Sequence, residues 1–251
     1  MISVITSVQN NKVKQWNKLK KRKERYKSKS FLVEGYHLVE EAYRSNWEIE
    51  ELILNENTSV PEWGRGFPCT IVSEHVFKTV TDTKTPQGIA AEIKMKQPKL
   101  DQFRKILLID SVQDPGNLGT MIRTADAAGF EGVVLGTGTV DLYNDKVIRA
   151  TQGSMFHVPV LEKDLIEMME ELKDQDYEIW ASALTNSEVY TDCEVPEKVA
   201  LIMGNEGAGI DAEILERATR NIKIPIYGAA ESLNVSVAAG VLMYHIAARL
   251  S

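Results

Sequence analysis

The chain has 251 residues, 43% of them hydrophobic, and a formal net charge of −7, enough to build one large domain or two ordinary ones. Only Cys69 and Cys193 occur, far apart and without a metal-ligand spacing, which argues against a disulfide framework. No run approaches the ~20 apolar residues of a membrane span, and the start lacks the basic-then-apolar pattern of a secretory signal, so a cytoplasmic location with no membrane partner is expected.

In chain order, Lys12–Arg25 reads as a helix, Ser30–Val33 as a short strand and Gly35–Ser45 as an amphipathic helix. Ile49–Leu54 and Cys69–Val72 read as strands, Glu74–Thr79 as a short helix and Gly88–Ile93 as a strand. A polar, proline-bearing stretch, KMKQPKLDQFR at 94–104, marks a linker. Beyond it, strands are expected at 106–110, 132–136, 158–161, 177–184, 199–203 and 222–226. Helices are expected near 117–128, 144–154, 164–174, 211–219 and 234–249, the last apolar enough to be buried. Strands alternating with helices predict an α/β fold with a mostly parallel sheet covered on both faces. The organisation is then a small α/β module at 1–96, a linker at 97–104 and a larger domain at 105–251.

Charge is distributed unevenly. Residues 1–96 carry 16 basic and 12 acidic residues, whereas residues 97–251 carry 13 and 24. Ten lysines or arginines fall within residues 12–29 against the single Glu24, with Trp16 and Tyr26 near the two ends. So many like charges repel one another unless a polyanion compensates them. A solvated helix face is the plain alternative; a nucleic-acid-contacting segment is the preferred reading.

Three polar, glycine-bearing loops follow strand-like runs in the larger domain: DPGNLGTMIRTADAAG at 114–129, IMGNEGAGI at 202–210 and IPIYGAAESLNVSVAAG at 224–240. Loops at the carboxyl ends of strands are where open α/β sheets bind ligands. Asn117 can cap the following helix or serve a site. Arg123 stands on an otherwise small or apolar segment, where it calls for a phosphate or carboxylate, or else pairs with Asp126 at i+3. Glu206 sits between glycines, and Ser232 and Asn234 bracket Leu233 at the mouth of the closing helix. A shared polar pocket accounts for these residues more simply than independent caps. His37, His75, His157 and His245 are scattered without ligand spacing, so no metal is expected. The GxG at Gly136 and Gly138 does not extend to a dinucleotide fingerprint.

These three segments resemble the ordered motifs of the SpoU (TrmH-type) RNA 2′-O-ribose methyltransferases of the SPOUT superfamily. SLNVSVAAG beside GNEGAG, with NLGTMIRTADAAG, is the most specific part, and DLYNDKVIRATQGSMFHVPV at 141–160 is similar to the family's middle region. The front part, ITSVQNNKVKQWNKLKKRKERYKSKSFLVEGYHLVEEA, more diffusely resembles the family's L30e-like RNA substrate-binding domain. The resemblance implies S-adenosyl-L-methionine as cofactor, a C-terminal trefoil knot and a homodimer joined through the knotted domain. It implies Asn117, Arg123, Glu206, Ser232 and Asn234 as the polar catalytic set. Met203, Gly204, Gly209, Ile224, Ile226 and Leu233 would contact the cofactor. Lys20, Lys21, Arg22, Lys23, Arg25 and Arg149 would contact structured RNA. Ribosomal RNA of the large subunit is the first expectation for the substrate. The alternatives are a tRNA methyltransferase, or an RNA-binding or ribosome-assembly factor without catalysis.

Overall fold

The computed structural model describes residues 4–98 and 103–250, so residues 99–102 of the expected linker lie outside it. The chain forms two compact units. One runs up to Lys96 and also takes in Asp141–Phe156; the other comprises Gln97–Val140 and the chain from His157 onward.

In the first unit, helices α1 (Asn11–Lys18) and α2 (Arg22–Ser28) lead into β1 (Ser30–Glu34), α3 (Tyr36–Arg44) and β2 (Ile49–Asn55). Then come β3 (Cys69–Val72), α4 (Glu74–Val80) and β4 (Ile89–Lys94). The sheet order is β1-β4-β2-β3, with β4 antiparallel to both neighbours and β2 parallel to β3. One helix was expected over Lys12–Arg25, but the chain breaks at Leu19–Lys21, where Lys21 is extended at φ −96 and ψ 129. Two interactions favour the break. Leu19 folds inward to join Val13 and Trp16 in the core. The Arg25 guanidinium also donates to the Leu19 and Lys20 carbonyls, at 2.8 and 2.9 Å, satisfying acceptors that the end of α1 leaves open.

The second unit holds β5 (Lys105–Ile109), α5 (Pro115–Ala127) and β6 (Gly132–Leu135). Here the chain departs: Asp141–Phe156, carrying α6 (Asp145–Thr151), belongs to the first unit. Its attachments there are specific. Asp141 pairs with Arg25, Trp47 Nε1 donates to the Phe156 carbonyl at 3.0 Å, and the Tyr143 ring packs on Phe31 at 4.5 Å. The second unit resumes with β7 (Val160–Glu162), α7 (Leu165–Lys173), β8 (Glu178–Ser182), β9 (Glu188–Val189) and β10 (Val199–Met203). It ends with α8 (Ala212–Arg217), β11 (Arg220–Lys223) and α9 (Val235–Ala247).

Its seven strands run in the order β7-β6-β5-β10-β8-β11-β9, and every ladder is parallel. Parallel strands buried on both faces read as continuous apolar runs, as Leu107–Ile109 and Val199–Met203 do. The order changes direction between β5 and β10, the place where open parallel sheets form a crevice. Because β5, β10 and β11 all point the same way, their following loops gather at one edge. Strand β11 stops at Lys223 rather than reaching Ile226, since Pro225 has no N–H for a ladder. Helix α9 is not buried all round: Val237 and Tyr244 are 53% and 55% exposed.

Candidate active site

Each loop is shaped by local chemistry. Asp114, not Asn117, caps α5: its Oδ1 accepts the Asn117 N–H at 2.8 Å, and Pro115 occupies the first helical position. This frees the Asn117 side chain, whose Nδ2 donates to Glu206 Oε1 at 3.1 Å and whose Oδ1 accepts from Asn234 Nδ2 at 3.0 Å. Asn234 caps α9, its Oδ1 accepting from the Ser236 and Val237 amides at 2.9 and 3.3 Å and from Ser236 Oγ at 2.6 Å. A hydrogen-bonded relay, Glu206–Asn117–Asn234, therefore links all three loops.

Glu206 anchors one end of the relay. Its two oxygens accept the Asp114 and Gln113 amides, at 3.0 and 3.2 Å, besides the Asn117 side chain. Partial burial pushes its pKa up, but the hydrogen bonds from Asn117 and from the amides of Asp114, Glu206 and Gln113 outweigh that. The carboxyl titrates below its ordinary 4.5. Glu206 is thus an ionised acceptor that orients amides, poorly suited to take a proton near neutrality.

Behind Glu206 the chain closes on itself. The Asn205 N–H donates to the Gly209 carbonyl at 2.8 Å, and the Gly209 N–H returns to the Asn205 carbonyl at 3.0 Å. Two residues outside the set expected from the sequence, Asn205 and Asp110, secure this loop. Asn205 Oδ1 accepts the Gly207 and Ala208 amides, at 2.9 and 3.0 Å, while its Nδ2 reaches the Ser111 carbonyl at 2.8 Å. Buried Asp110 accepts the Asp211 N–H at 2.8 Å and the Ser111 hydroxyl at 2.9 Å. Both left signals: an asparagine opening a glycine turn forms Asx turns, and a carboxylate ending an apolar strand needs buried donors.

A cavity of about 180 Å³ lies against this loop. Met203, Gly204, Gly209, Ile224, Ile226 and Leu233 all line it, and so do Glu206 and Ser232. Its walls combine apolar side chains and glycine backbone with the polar Ser182, Asn205 and Ser232, and carry one acidic and one basic residue, Glu206 and Lys223. Arg123 is exposed on α5, on the face carrying Asn117 and Thr120 at i+3 spacing. Asp126 pairs instead with His157 at 2.9 Å, and among the described residues Arg123 has no ion pair.

The expected RNA-contacting residues separate in the first unit. Arg25 is a correction: it is 6% exposed, paired with buried Asp141 and bonded to the end of α1, so its guanidinium is committed to the fold. Lys20 pairs with Asp82 at 2.9 Å, Arg149 with Asp145 at 2.7 Å, and Arg22 lies 5.2 Å from the Tyr26 ring. Lys21 and Lys23 are exposed.

A cavity over glycine backbone, beside a fixed carboxylate–amide relay that joins three loops, is suited to align a bound donor with its acceptor, the arrangement a group transferase needs. The SpoU rRNA methylase family model matches residues 104–244, and the MRM3-like substrate binding domain model matches residues 10–91. The 23S rRNA (guanosine(2553)-2′-O)-methyltransferase RlmP of Bacillus subtilis (strain 168) is 51% identical over 243 residues, 96% of this chain and 98% of that protein. The AdoMet-bound rRNA methyltransferase from Sinorhizobium meliloti superposes with a TM-score of 0.91 at 31% identity, covering 99% of this chain and 98% of that one. A solved RNA 2′-O ribose methyltransferase gives a TM-score of 0.82 at 32% identity, over 98% and 99% of the two chains. The chain belongs to the SpoU rRNA methylase family. It is an RNA ribose 2′-O-methyltransferase whose methyl donor is S-adenosyl-L-methionine. The cavity's chemistry fits that donor: Met203, Ile224, Ile226 and Leu233 offer apolar contact to a flat base, and the glycine backbone, Ser232 and Lys223 offer polar contact to its sugar and amino-acid parts.

Proposed function

We propose that this chain methylates a ribose 2′-hydroxyl in 23S ribosomal RNA. The observation carrying this reading is the near-full-length 51% identity to RlmP together with an intact three-loop relay. Met203, Gly204, Gly209, Ile224, Ile226 and Leu233 hold the cofactor, which when bound supplies an activated methyl on a sulfonium. Asn117, Asn234 and Ser232 orient the attacking hydroxyl, and Glu206 fixes the two amides. Arg123 grips the neighbouring phosphate and stabilises the alkoxide as it develops. It does not act as a base, because a guanidinium does not lose its proton in proteins. The front module at 1–96 reads the RNA by the shape of a loop or bulge, and residues 105–251 carry the transfer.

The test is a map of 2′-O-methyl groups in RNA from cells with and without this chain. One missing site in 23S ribosomal RNA is expected; an unchanged 23S map, with labelled methyl transferred to tRNA instead, would reject the substrate.

The same proposal includes a C-terminal trefoil knot, a cytoplasmic location and a homodimer. No helix among the described residues is long and apolar enough to cross a membrane. For the dimer, α9 leaves Val237, Val241 and Tyr244 at i, i+4 and i+7 along one apolar stripe. A helix hydrophobic on every side is stable only when covered, and a second copy covers it symmetrically. Val237→Arg with Tyr244→Glu is expected to convert a dimer to a monomer by sedimentation, with loss of methyl transfer. A variant that remains dimeric would remove α9 from the interface.

A further inference from the structure

The ten cations of residues 12–29 sort by their partners. Lys12 pairs with Glu51, Lys20 with Asp82 and Arg25 with Asp141, while Arg22 lies over Tyr26. Of the remaining six, Lys14, Lys18, Lys21 and Lys27 line one open groove of about 750 Å³ between α1 and α2. Among the described residues none of these four has an ion pair. The break at Leu19–Lys21 creates the groove: a single helix would have spread the same charges around its circumference. Lys14 and Lys18 lie opposite the buried face of Val13 and Trp16, about 6 Å apart along the axis. That interval is comparable to the distance between neighbouring phosphates of one strand.

We propose that this groove seats the sugar–phosphate backbone of one strand of the substrate RNA, with Lys14, Lys18, Lys21 and Lys27 each on a phosphate. The inference rests on the reading of RNA as substrate and makes the contact surface specific. No apolar side chain lines the groove; its other residues are Asn11, Gln15, Asn17, Glu24 and Ser28. A protein partner therefore finds no anchor to desolvate there, and a lipid surface finds nothing to insert. Four unpaired cations along one open groove suit a polyanion.

The experiment measures affinity of the full chain for protein-free 23S ribosomal RNA as a function of salt, beside methyl transfer to the same RNA. Combining Lys14→Gln, Lys18→Gln, Lys21→Gln and Lys27→Gln is expected to lower the slope of log affinity against log salt by about 3, from ~0.7 per single-strand phosphate contact. KM for RNA should rise while kcat at saturating RNA is retained. A control combining Lys78→Gln, Lys94→Gln and Lys163→Gln, cations already paired with glutamates, is expected to leave the slope unchanged. An unchanged slope in the groove variant, or an equal fall in the control, would overturn the proposal. Wild-type chain that binds this RNA without methylating it would reject the substrate reading alone, and the slopes would still decide the groove. Wild-type chain that binds no RNA would reject both.

Discussion

Glu206→Gln is expected to lower kcat about 10²-fold, since displacement of reacting groups by about 1 Å costs that much, while cofactor affinity changes little. The carboxylate faces three donors: the Asp114 amide and Asn117 Nδ2 on one oxygen, and the Gln113 amide on the other. A glutamine has one acceptor and one NH₂, so either orientation opposes a donor to a donor. Asn117 then loses its fixed orientation, and Asn234, bonded to Asn117 Oδ1, loses its partner. Glu206 also lines the cofactor cavity, but glutamine has nearly the same volume, so the cavity keeps its shape. The pH dependence follows from the depressed titration. A group whose folded pKa lies below its unfolded value stabilises above the unfolded value and loses that contribution as pH falls through the folded one. For Glu206 the ordinary value is 4.5 and the folded one is lower, so the relay should survive acidification to below 4.5. In Glu206→Gln that acid transition of the site should vanish. Stopped-flow methyl transfer and isothermal calorimetry measure the two quantities; a variant with wild-type kcat would show that the amides orient themselves without the carboxylate.

The parallel sheet was legible where its strands are short unbroken apolar runs between helical periods, as in β5, β6 and β10, whereas the two-residue edge strand β9 has no such run and was not expected. The three loops were legible from glycines and polar side chains at strand ends. What was not legible depended on contacts distant in sequence. Arg25 reads as one more cation in a basic run; only Asp141, 116 residues away, reveals that it is buried. For the same reason Asp141–Phe156 looks like part of the larger domain, although Tyr143 and Phe156 pack on Phe31 and Trp47 of the smaller unit. Asn117 was ambiguous as cap or site residue because Asp114, three positions earlier, has equal capping capacity. The open face of α9 escaped notice because composition cannot tell a helix buried in its own fold from one awaiting another surface.

Gly204→Ala is expected to weaken S-adenosyl-L-methionine binding at least tenfold, and the physical reason lies in the backbone around it. A methyl at position 204 would meet the Gly209 carbonyl carbon at 2.4 Å, its oxygen at 2.5 Å and the Ile210 nitrogen at 2.5 Å. These are main-chain atoms, pinned by the paired Asn205–Gly209 hydrogen bonds and the Asn205 side chain. No rotamer can relieve the contact, so the loop must move, and it carries Glu206 and one wall of the cavity with it. Two neighbours serve as internal comparisons. Gly209 has φ +75 and open space where a methyl would go, so Gly209→Ala adds only left-handed strain of about 1–2 kcal/mol. At Gly207 a methyl would meet only Asn205 Oδ1, at an ordinary 3.8 Å, so Gly207→Ala should bind the cofactor nearly as the parent does. Affinity should therefore fall in the order Gly207→Ala, Gly209→Ala, Gly204→Ala, with calorimetry as the readout and circular dichroism confirming the fold. Equal affinities for the Gly204→Ala and Gly207→Ala variants would mean that close approach of the two backbone segments does not shape the cofactor slot.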